Sequence, residues 1–315
     1  MQRLRRSSIR VKGISAMGNE SSWFIPAGTA AEGRADLRIT PESAGWTYCG
    51  QYVFTLSAGD PASFSLEGEE GVLVSLSARD FVVVVNGERF EMRGREGVFA
   101  GVSDWLYLPV GSQVSIEGDS GEVAIVTARA SQTFPVHYGS AESVPVEVRG
   151  AGRSTRQVNN YATPTSFTQA DKINVCEVLT PGGNWSSWPP HRHDGIGDCV
   201  TNNEEIYYFR IGREDRPHGD PTGSGLFRLY TVDGRHDETL TITDGDTYLV
   251  PEGYHGPTVA NPEYPMYFLN VLAGPGEDRT MAFCDDPDQH WIRESWENQE
   301  QDPRLPMTSA AGRVK

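Results

Sequence analysis

Short β-rich runs separated by turn sequences make up most of the chain, and this pattern constrains the fold more than any other feature. The first half contains VLVSLSARDFVVVVNGERFEM, in which Asn86-Gly87 separates two such runs. This dipeptide favours a type I′ hairpin, because both turn residues must tolerate positive φ. DWLYLPVGSQVSI then adds two more strands around a Pro-x-Gly turn at 109–111. Because no extended helical period appears in this half, we predict an all-β protein.

The second half repeats this pattern of strands and turns. Strand-like runs restart at INVCEVLTPGG and continue through EEIYYFRI, GLFRLYTVDG, DTYLVPEGYH and PMYFLNVLAG. DTYLVPEGYH resembles DWLYLPVGSQ, since each has a four-residue strand followed by Pro-x-Gly. The repetition predicts two tandem barrels or sandwiches of antiparallel strands. We place them at 21–150 and 151–292, followed by a polar tail over 293–315 that either wraps the surface or is disordered.

Charge is distributed unevenly along the chain. The formal net charge is −16, but the first sixteen residues hold five Arg/Lys and no acid, so the remainder has 22 basic against 43 acidic residues. An acidic body repels a phosphate backbone, so we expect no nucleic-acid partner. We also expect no membrane partner, because no apolar run approaches the ~20 residues that span a bilayer. Residues 1–20 lack the apolar core of a secretory signal, and we predict a disordered basic tail.

The four cysteines show no Cys-x-x-Cys pair. They are Cys49, Cys176, Cys199 and Cys284, scattered along both halves. This pattern is more typical of reduced thiols than of a disulfide framework, and it predicts a cytoplasmic protein.

Four residues of the second half have the types and spacing of metal ligands. His191 and His193 stand at i and i+2, so on an extended strand both imidazoles point to the same side. Glu205 begins EIYYFRIG and His255 ends PEGYH, so each could reach them from a neighbouring strand. Such a set suits one divalent Zn, Mn, Fe, Co or Ni ion and does not choose among them. A lone His-x-His is more often an ordinary loop sequence, so the prediction depends on all four residues together.

Glu204 is an alternative ligand to Glu205. Strand parity places Glu205 and Tyr207 on one face, and Glu204 and Arg210 on the other. Six residues separate Glu205 from Gly212, and five separate Gly245 from the turn at 251–253. These spacings resemble the two motifs of the cupin superfamily, whose small barrels hold one metal ion with three histidines and a glutamate. The spacing therefore selects Glu205, although eleven residues separate it from His193, where the motif has three or four.

Several stretches, in the order in which they occur along the chain, resemble one particular family more closely. They are TPESAGWTYCGQYVF, TRQVNN, EVLTPGGNWSSWPPHRHD, EEIYYFRI, DGDTYLVPEGYH, YFLNVLAGP and DPDQHWI. Over about residues 40–292 the chain resembles the 5-deoxy-glucuronate isomerases of myo-inositol catabolism. The resemblance implies a bicupin, with two jelly-roll barrels. It also implies a metal-dependent aldose–ketose isomerase that converts 5-deoxy-D-glucuronate, a small anionic sugar acid, to 5-dehydro-2-deoxy-D-gluconate. The family's metal ligands fall on His191, His193, Glu205 and His255, and the first barrel lacks ligands.

Such an isomerisation needs a group that moves a proton and a cation that binds the substrate carboxylate. Glu204 and Tyr207 are the candidates for the proton-shuttling base. Arg228 is the first candidate for the carboxylate ligand, because its strand should lie beside the metal strands. Arg156 and Arg210 are alternatives. For each of these residues, an ordinary salt bridge or packing contact is the competing interpretation.

Two other functions remain compatible with the sequence. A metal-dependent cupin dioxygenase could use the same ligands with a redox-active metal, and a non-enzymatic sugar-binding cupin could keep the fold alone. A homo-oligomer is also compatible with the sequence.

Overall fold

The computed structural model describes residues 23–213, 216 and 219–314. The predicted basic tail over residues 1–20 lies outside this part of the chain. Within the described residues, antiparallel strands dominate and helices are short, which confirms the predicted all-β class. None of the described helices is long and apolar enough to span a membrane.

The strands of the first half follow one another at short intervals. In chain order they are β1 (Phe24–Ile25), β2 (Leu37–Ile39), β3 (Cys49–Thr55), β4 (Ala62–Ser65), β5 (Glu69–Ser75), β6 (Arg79–Val85), β7 (Glu88–Gly94), β8 (Trp105–Leu108), β9 (Gln113–Glu117), β10 (Glu122–Arg129), β11 (His137–Gly139) and β12 (Val146–Arg149). The turn between β6 and β7 has positive φ at Asn86 and Gly87, as the sequence predicted.

The second half continues in the same way. Its strands are β13 (Arg156–Ala162), β14 (Asn174–Thr180), β15 (Trp185–Ser186), β16 (His191–Arg192), β17 (Glu204–Ile211), β18 (Gly225–Tyr230), β19 (Asp237–Ile242), β20 (Thr247–Val250), β21 (Tyr254–Ala260), β22 (Met266–Ala273), β23 (Cys284–Asp285), β24 (Thr308–Ser309) and β25 (Gly312–Arg313). The short helices are α1 (Pro41–Ala44) and α2 (Trp291–Ser295), with 3₁₀ turns at Ala141–Ser143, Gly152–Ser154 and Trp296–Asn298.

The first unit is a sandwich of two antiparallel sheets. One has the order β11-β8-β5-β10-β3-β2 and the other the order β4-β9-β6-β7. Alternate residues of the larger sheet, such as Leu73 and Ile125, pack against Phe81 and Ile116 of the smaller sheet. Because side chains alternate along a strand, the neighbours of Leu73 point to the opposite face of the larger sheet.

The second unit is built in the same way, with larger sheets. Its sheets have the orders β1-β20-β17-β22-β14-β13-β12 and β19-β18-β21-β16-β23, with β15 paired to β21. Two of these strands lie in the range that we predicted for the first barrel. β1 pairs with β20, and β12 pairs with β13. The boundary at 150 therefore assigns β12 to the wrong sheet.

The large sheets of the two units pack back to back. Val72 and Val126 of the first unit share one apolar cluster with Ile206 and Val271 of the second. A buried ion pair also crosses the contact, with 2.8 Å between Arg95 Nη2 and Glu177 Oε2. Separation of the two units would expose these side chains to water, and for the apolar ones this costs free energy. The buried contact therefore holds the two units together.

The C-terminal segment wraps the surface, which is the first of the two predicted alternatives. The strands β24 and β25 form a small hairpin. Thr308 of this hairpin accepts a 2.9 Å hydrogen bond at its hydroxyl from Nε2 of the buried Gln157. This hydrogen bond attaches the C-terminal hairpin to β13 of the second unit.

Cys199 and Cys284 form a disulfide, so the prediction of reduced thiols is wrong for this pair. The strands β16 and β23 align Arg192 with Cys284, and the loop after His193 brings Cys199 against the same position. The two cysteines are 85 residues apart and have no motif around them, so their pairing had no local signal. Cys49 and Cys176 are free and buried. The cysteines therefore no longer favour a cytoplasmic location.

Candidate metal centre

A cavity of about 540 Å³ opens between the sheets of the second unit. Inward-facing side chains of β17, β22, β14 and β13 form one wall, and His191 belongs to the facing sheet. His191 and His255 are paired residues on β16 and β21, so the strand register places their imidazoles side by side. Three of the predicted metal ligands, His191, His193 and Glu205, therefore line the cavity.

Three of the predicted ligands form one compact group. The candidate ligand atoms of His193, Glu205 and His255 all lie within 4.8 Å of one another, and all three residues are buried. His193 Nε2 is 2.9 Å from Glu205 Oε2, and His255 Nε2 is 3.1 Å from the same oxygen. This is the geometry of side chains that share one cation.

The histidines present their Nε2 atoms to the group because a backbone carbonyl lies near each Nδ1. His193 Nδ1 is 2.9 Å from Asn203 O, His191 Nδ1 is 3.3 Å from Pro189 O, and His255 Nδ1 is 3.4 Å from Gly253 O. These contacts assign the proton of the neutral ring to Nδ1 and leave the Nε2 lone pair available. Metal-binding histidines are oriented in this way.

An unpaired atom supports the same conclusion. His255 Nε2 is buried and has no hydrogen-bond partner among the described residues, because its approach to Glu205 lacks hydrogen-bond geometry. Buried polar atoms without a partner are rare in folded proteins. A cation between these atoms would satisfy His255 Nε2, and the nitrogen and oxygen donors suit a divalent transition metal. The residues present therefore fit such an ion.

The charges of the group also favour a cation. Burial lowers the pKa of His255, and burial with the neighbouring histidines lowers that of His191 well below its usual value. Burial raises the pKa of Glu205, but contacts with His193 and His255 outweigh it, so that the pKa is lowered overall. Burial lowers the pKa of His193, but the hydrogen bond to Glu205 and the Glu205 charge outweigh it, so that the pKa is raised overall. The ionised Glu205 carboxylate supplies a negative charge that a divalent ion beside the imidazoles of His191 and His255 can offset.

The fourth predicted ligand lies next to this group. The His191 ring centroid is 4.5 Å from that of His255 and 6.4 Å from that of His193. His191 lines the cavity and also contacts the ring of Phe283, at 4.7 Å. The structure therefore brings three predicted ligands together and places the fourth beside them.

Glu204 lies away from the metal group, contrary to its predicted role as the proton-shuttling base. Its carboxylate accepts hydrogen bonds from the backbone N–H groups of Thr47, Tyr48 and Cys49, at 2.7, 2.7 and 2.9 Å. Strand parity explains this position, since consecutive residues of β17 face opposite sides. Glu204 therefore joins the two units, and it does not face the cavity.

Tyr207, the other candidate, lines the cavity. Its hydroxyl lies 3.1 Å from Ser187 Oγ, and its ring centroid is 5.8 Å from that of His255. Burial and the charge of Glu205 raise the pKa of Tyr207 well above its usual value. The phenol is therefore neutral and can donate a proton.

Two of the three predicted arginines point elsewhere. Arg228 forms a two-pronged salt bridge with Asp237, at 2.9 and 2.8 Å, on the outer face of β18. We predicted that Arg228 binds the substrate, but its side chain points away from the cavity. Phe227 and Leu229, on either side of it in β18, are the residues that point inward. Arg210 bridges Asp244 and Glu122. Only the alternative Arg156 lines the cavity.

Three further cavity residues were missed by the sequence analysis. They are Arg149, Arg293 and Trp296. Arg149 lies in the range that we assigned to the first barrel, and the other two lie in the predicted polar tail. Nothing in the sequence pattern there indicated a contact with the cavity.

Comparison with known proteins places the chain in a family. The sequence matches the KduI/IolB family over residues 23–292, which is most of its length. The chain belongs to this family. Two proteins that are similar to this chain in sequence are both named 5-deoxy-glucuronate isomerase. The one from Geobacillus kaustophilus is 38% identical over 87% of this chain and 96% of the relative. The one from Bacillus subtilis strain 168 is 33% identical over 81% of this chain and 92% of the relative.

Solved structures show the same fold for this KduI/IolB family member. A crystal structure of an IolB-like protein from Salmonella typhimurium LT2 matches with a TM-score of 0.76 and 31% identity, over 85% of this chain and 98% of that chain. Oxalate decarboxylase from Bacillus subtilis matches with a TM-score of 0.54 and 15% identity, over 79% of this chain and 74% of that chain. The second likeness concerns the fold alone. It confirms the predicted bicupin architecture.

Proposed function

We propose that this protein is a metal-dependent 5-deoxy-glucuronate isomerase of myo-inositol catabolism. It converts 5-deoxy-D-glucuronate to 5-dehydro-2-deoxy-D-gluconate. The names of the relatives support this activity. The observation that carries the proposal is the buried group of His193, Glu205 and His255 in a cavity that is open to a small molecule.

The metal would be held by these three residues, with His191 as the fourth ligand. Zn, Mn, Fe, Co and Ni all accept such donors, so the ligand set allows any of them. A divalent ion held there would act as a Lewis acid, which would polarise the substrate carbonyl and stabilise the negative charge that develops during the reaction. The backbone carbonyls that face each Nδ1 keep the imidazoles in the orientation that this requires.

The reaction moves a carbonyl from C1 to C2 without net oxidation. C2 loses a proton and its hydroxyl becomes the carbonyl, while C1 gains a proton and its carbonyl becomes the hydroxyl. We propose that Tyr207 donates the proton of its hydroxyl to the C1 oxygen and takes one back from the C2 hydroxyl, so that the phenol is restored. Its raised pKa suits a donor better than a base that takes a proton from carbon.

A direct test follows the substrate by NMR while the metal content of the same sample is measured. Metal-loaded protein should convert the aldehyde of 5-deoxy-D-glucuronate to a ketone at C2. In D₂O, deuterium should enter C1, because a proton-transfer route exchanges with solvent. Protein that carries its metal and leaves the substrate unchanged would refute the proposal. Oxygen consumption during turnover would instead favour the dioxygenase.

A further inference from the structure

Three arginines meet in the cavity wall of an otherwise acidic protein. Arg149, Arg156 and Arg293 come from β12, β13 and α2, so three separate elements supply the positive charge. Glu205, His191 and His193 line the same cavity. The cavity is therefore lined both by residues of the candidate metal site and by three guanidinium groups.

Two of these arginines are already paired with carboxylates. Arg149 Nε lies 2.8 Å from Glu147 Oε1. Arg293 Nη2 lies 2.7 Å from Asp285 Oδ1, and its Nε contacts the same carboxylate. Their charges are thus largely offset by neighbouring side chains.

Arg156 differs from both. Within the described part of the chain it makes no salt bridge, and its one hydrogen bond runs from Nη1 to Ser154 O, at 3.0 Å. Burial and the charges of Arg149 and Arg293 lower its pKa to about 10, so it still carries its charge at neutral pH. Arg156 is half-buried, and a guanidinium that loses part of its hydration without gaining a carboxylate is costly, so a bound anion would relieve that cost.

The surroundings hold this guanidinium in place. Arg156 Cζ lies 5.6 Å from the centre of the Trp296 ring, within the range of a cation–π contact. Gly150, at φ +79, makes room for it, since a Cβ there would lie 2.8 Å from Arg156 Nη1. The indole Nε1 of Trp296 is itself buried without a hydrogen-bond partner among the described residues. Trp296 lines the same cavity as Arg156.

We propose that Arg156 binds the carboxylate of the sugar-acid substrate. This inference rests on the proposed function and names the residue that selects an anionic sugar. A guanidinium binds a carboxylate through two parallel N–H groups, which fixes the orientation of the sugar as well as its charge. The carboxylate end of the substrate would then lie at Arg156, which leaves the carbonyl end for the group of His193, Glu205 and His255.

The position of Arg156 agrees with this orientation. Arg156 and Arg293 line the same cavity as Tyr207, His191 and Glu205. A small sugar acid in this cavity can therefore contact an arginine at one end and the metal group at the other.

The test compares Arg156→Gln with Arg228→Gln in metal-loaded protein. The second variant is a matched control, because Arg228 is a strand arginine of the same unit outside the cavity. Binding of 5-deoxy-D-glucuronate, D-glucuronate and uncharged D-glucose is measured by calorimetry, together with turnover. We expect Arg156→Gln to weaken binding of the two acids by at least about 30-fold, the lower range for removing one partner of a buried charged pair. Binding of D-glucose and the metal content should not change.

Arg156→Lys gives a second measurement, because it keeps the charge and loses the two-pronged geometry. It should recover part of the lost affinity for the acids, whereas Arg228→Gln should behave as the wild-type protein. The proposal is overturned if the wild type binds the acids no better than D-glucose, or if Arg156→Gln keeps the preference for acids. If the acids bind through Arg156 and no isomerisation occurs, the proposed function fails while the anion site stands.

Discussion

Glu204 and Glu205 are consecutive residues whose carboxylates serve different parts of the molecule. Glu205 lies between His193 and His255, within 3.1 Å of both Nε2 atoms. The Glu204 carboxylate accepts three backbone N–H groups from the segment at 47–49 of the first unit. One strand therefore holds the candidate metal centre on one face and the contact between the units on the other.

Replacing Glu205 with glutamine should remove the metal. The amide keeps the shape of the side chain but lacks the charge that offsets a divalent ion. We expect metal analysis to show loss of the ion and turnover to fall below detection or nearly so. Glu204→Gln is the matched control and should keep the metal. If the control loses the metal and Glu205→Gln keeps it, our assignment of the ligand is wrong.

Glu204→Gln should instead destabilise the fold. A glutamine offers one acceptor oxygen, and its NH₂ group would face backbone donors, so at least one N–H loses its partner. We expect the free energy of unfolding to fall by about 1–3 kcal/mol in urea titrations. Glu142→Gln, at an exposed salt bridge with Arg93, should change it by less than about 0.5 kcal/mol. Equal effects of the two substitutions would contradict the joining role of Glu204.

Metal analysis should give about one ion per chain. Among the described residues, the group of His193, Glu205 and His255 is the single cluster suited to an ion, and it lies in the second unit. A chelator should lower the thermal midpoint, because an ion at 100 times its dissociation constant adds about 2.7 kcal/mol to the free energy of unfolding. Two tightly bound ions per chain, one of them in the first unit, would contradict the prediction.

Tyr207→Phe tests the proton donor. The ring should keep its packing against Phe209 and Phe268, so the fold and the metal content should not change. We expect kcat to fall by about 10²–10⁴-fold, the usual contribution of a positioned acid or base. Tyr248→Phe is a suitable control, because the Tyr248 hydroxyl bonds Glu238 and Tyr248 does not line the cavity. An unchanged kcat in Tyr207→Phe would exclude the donor role.

The disulfide can be tested by counting thiols. Protein denatured without reductant should show two free thiols, from Cys49 and Cys176, and four after reduction. Cys199→Ser should lower the free energy of unfolding by about 2–5 kcal/mol, because the bond closes a long loop in the unfolded chain. Four reactive thiols before reduction would show that the bond is absent.

The sequence could bring His193, Glu205 and His255 together as candidate ligands because its signals are local. Strand alternation and the spacing to Gly212 were enough to choose Glu205 over Glu204, and the structure has Glu205 in the group. His255 could be predicted because a tight turn fixes where the next strand begins. The same alternation predicts that Arg228 points away from the cavity, because it lies between Phe227 and Leu229, two apolar residues that favour the buried face of β18.

Other features depend on contacts between distant segments and carry no local signal. The Cys199–Cys284 bond depends on the pairing of β16 with β23, which adjacent residues do not determine. Arg293 and Trp296 line the cavity, although they lie far along the chain from the strands that form its walls. Sequence patterns describe the faces of single strands, and they do not show which loop covers the mouth of a barrel.

The pairing of β1 with β20 has a consequence for synthesis on the ribosome. Ala27, just after β1, donates its backbone N–H to Asp246, which lies 219 residues later in the chain. At about 5–20 residues per second, the partner emerges roughly 10–45 s after the strand it pairs with. Among the described strands, β1 is thus made first and is one of the last to be paired. Nascent chains arrested before residue 246 should leave the segment around Phe24 open to protease, and chains released beyond β20 should protect it.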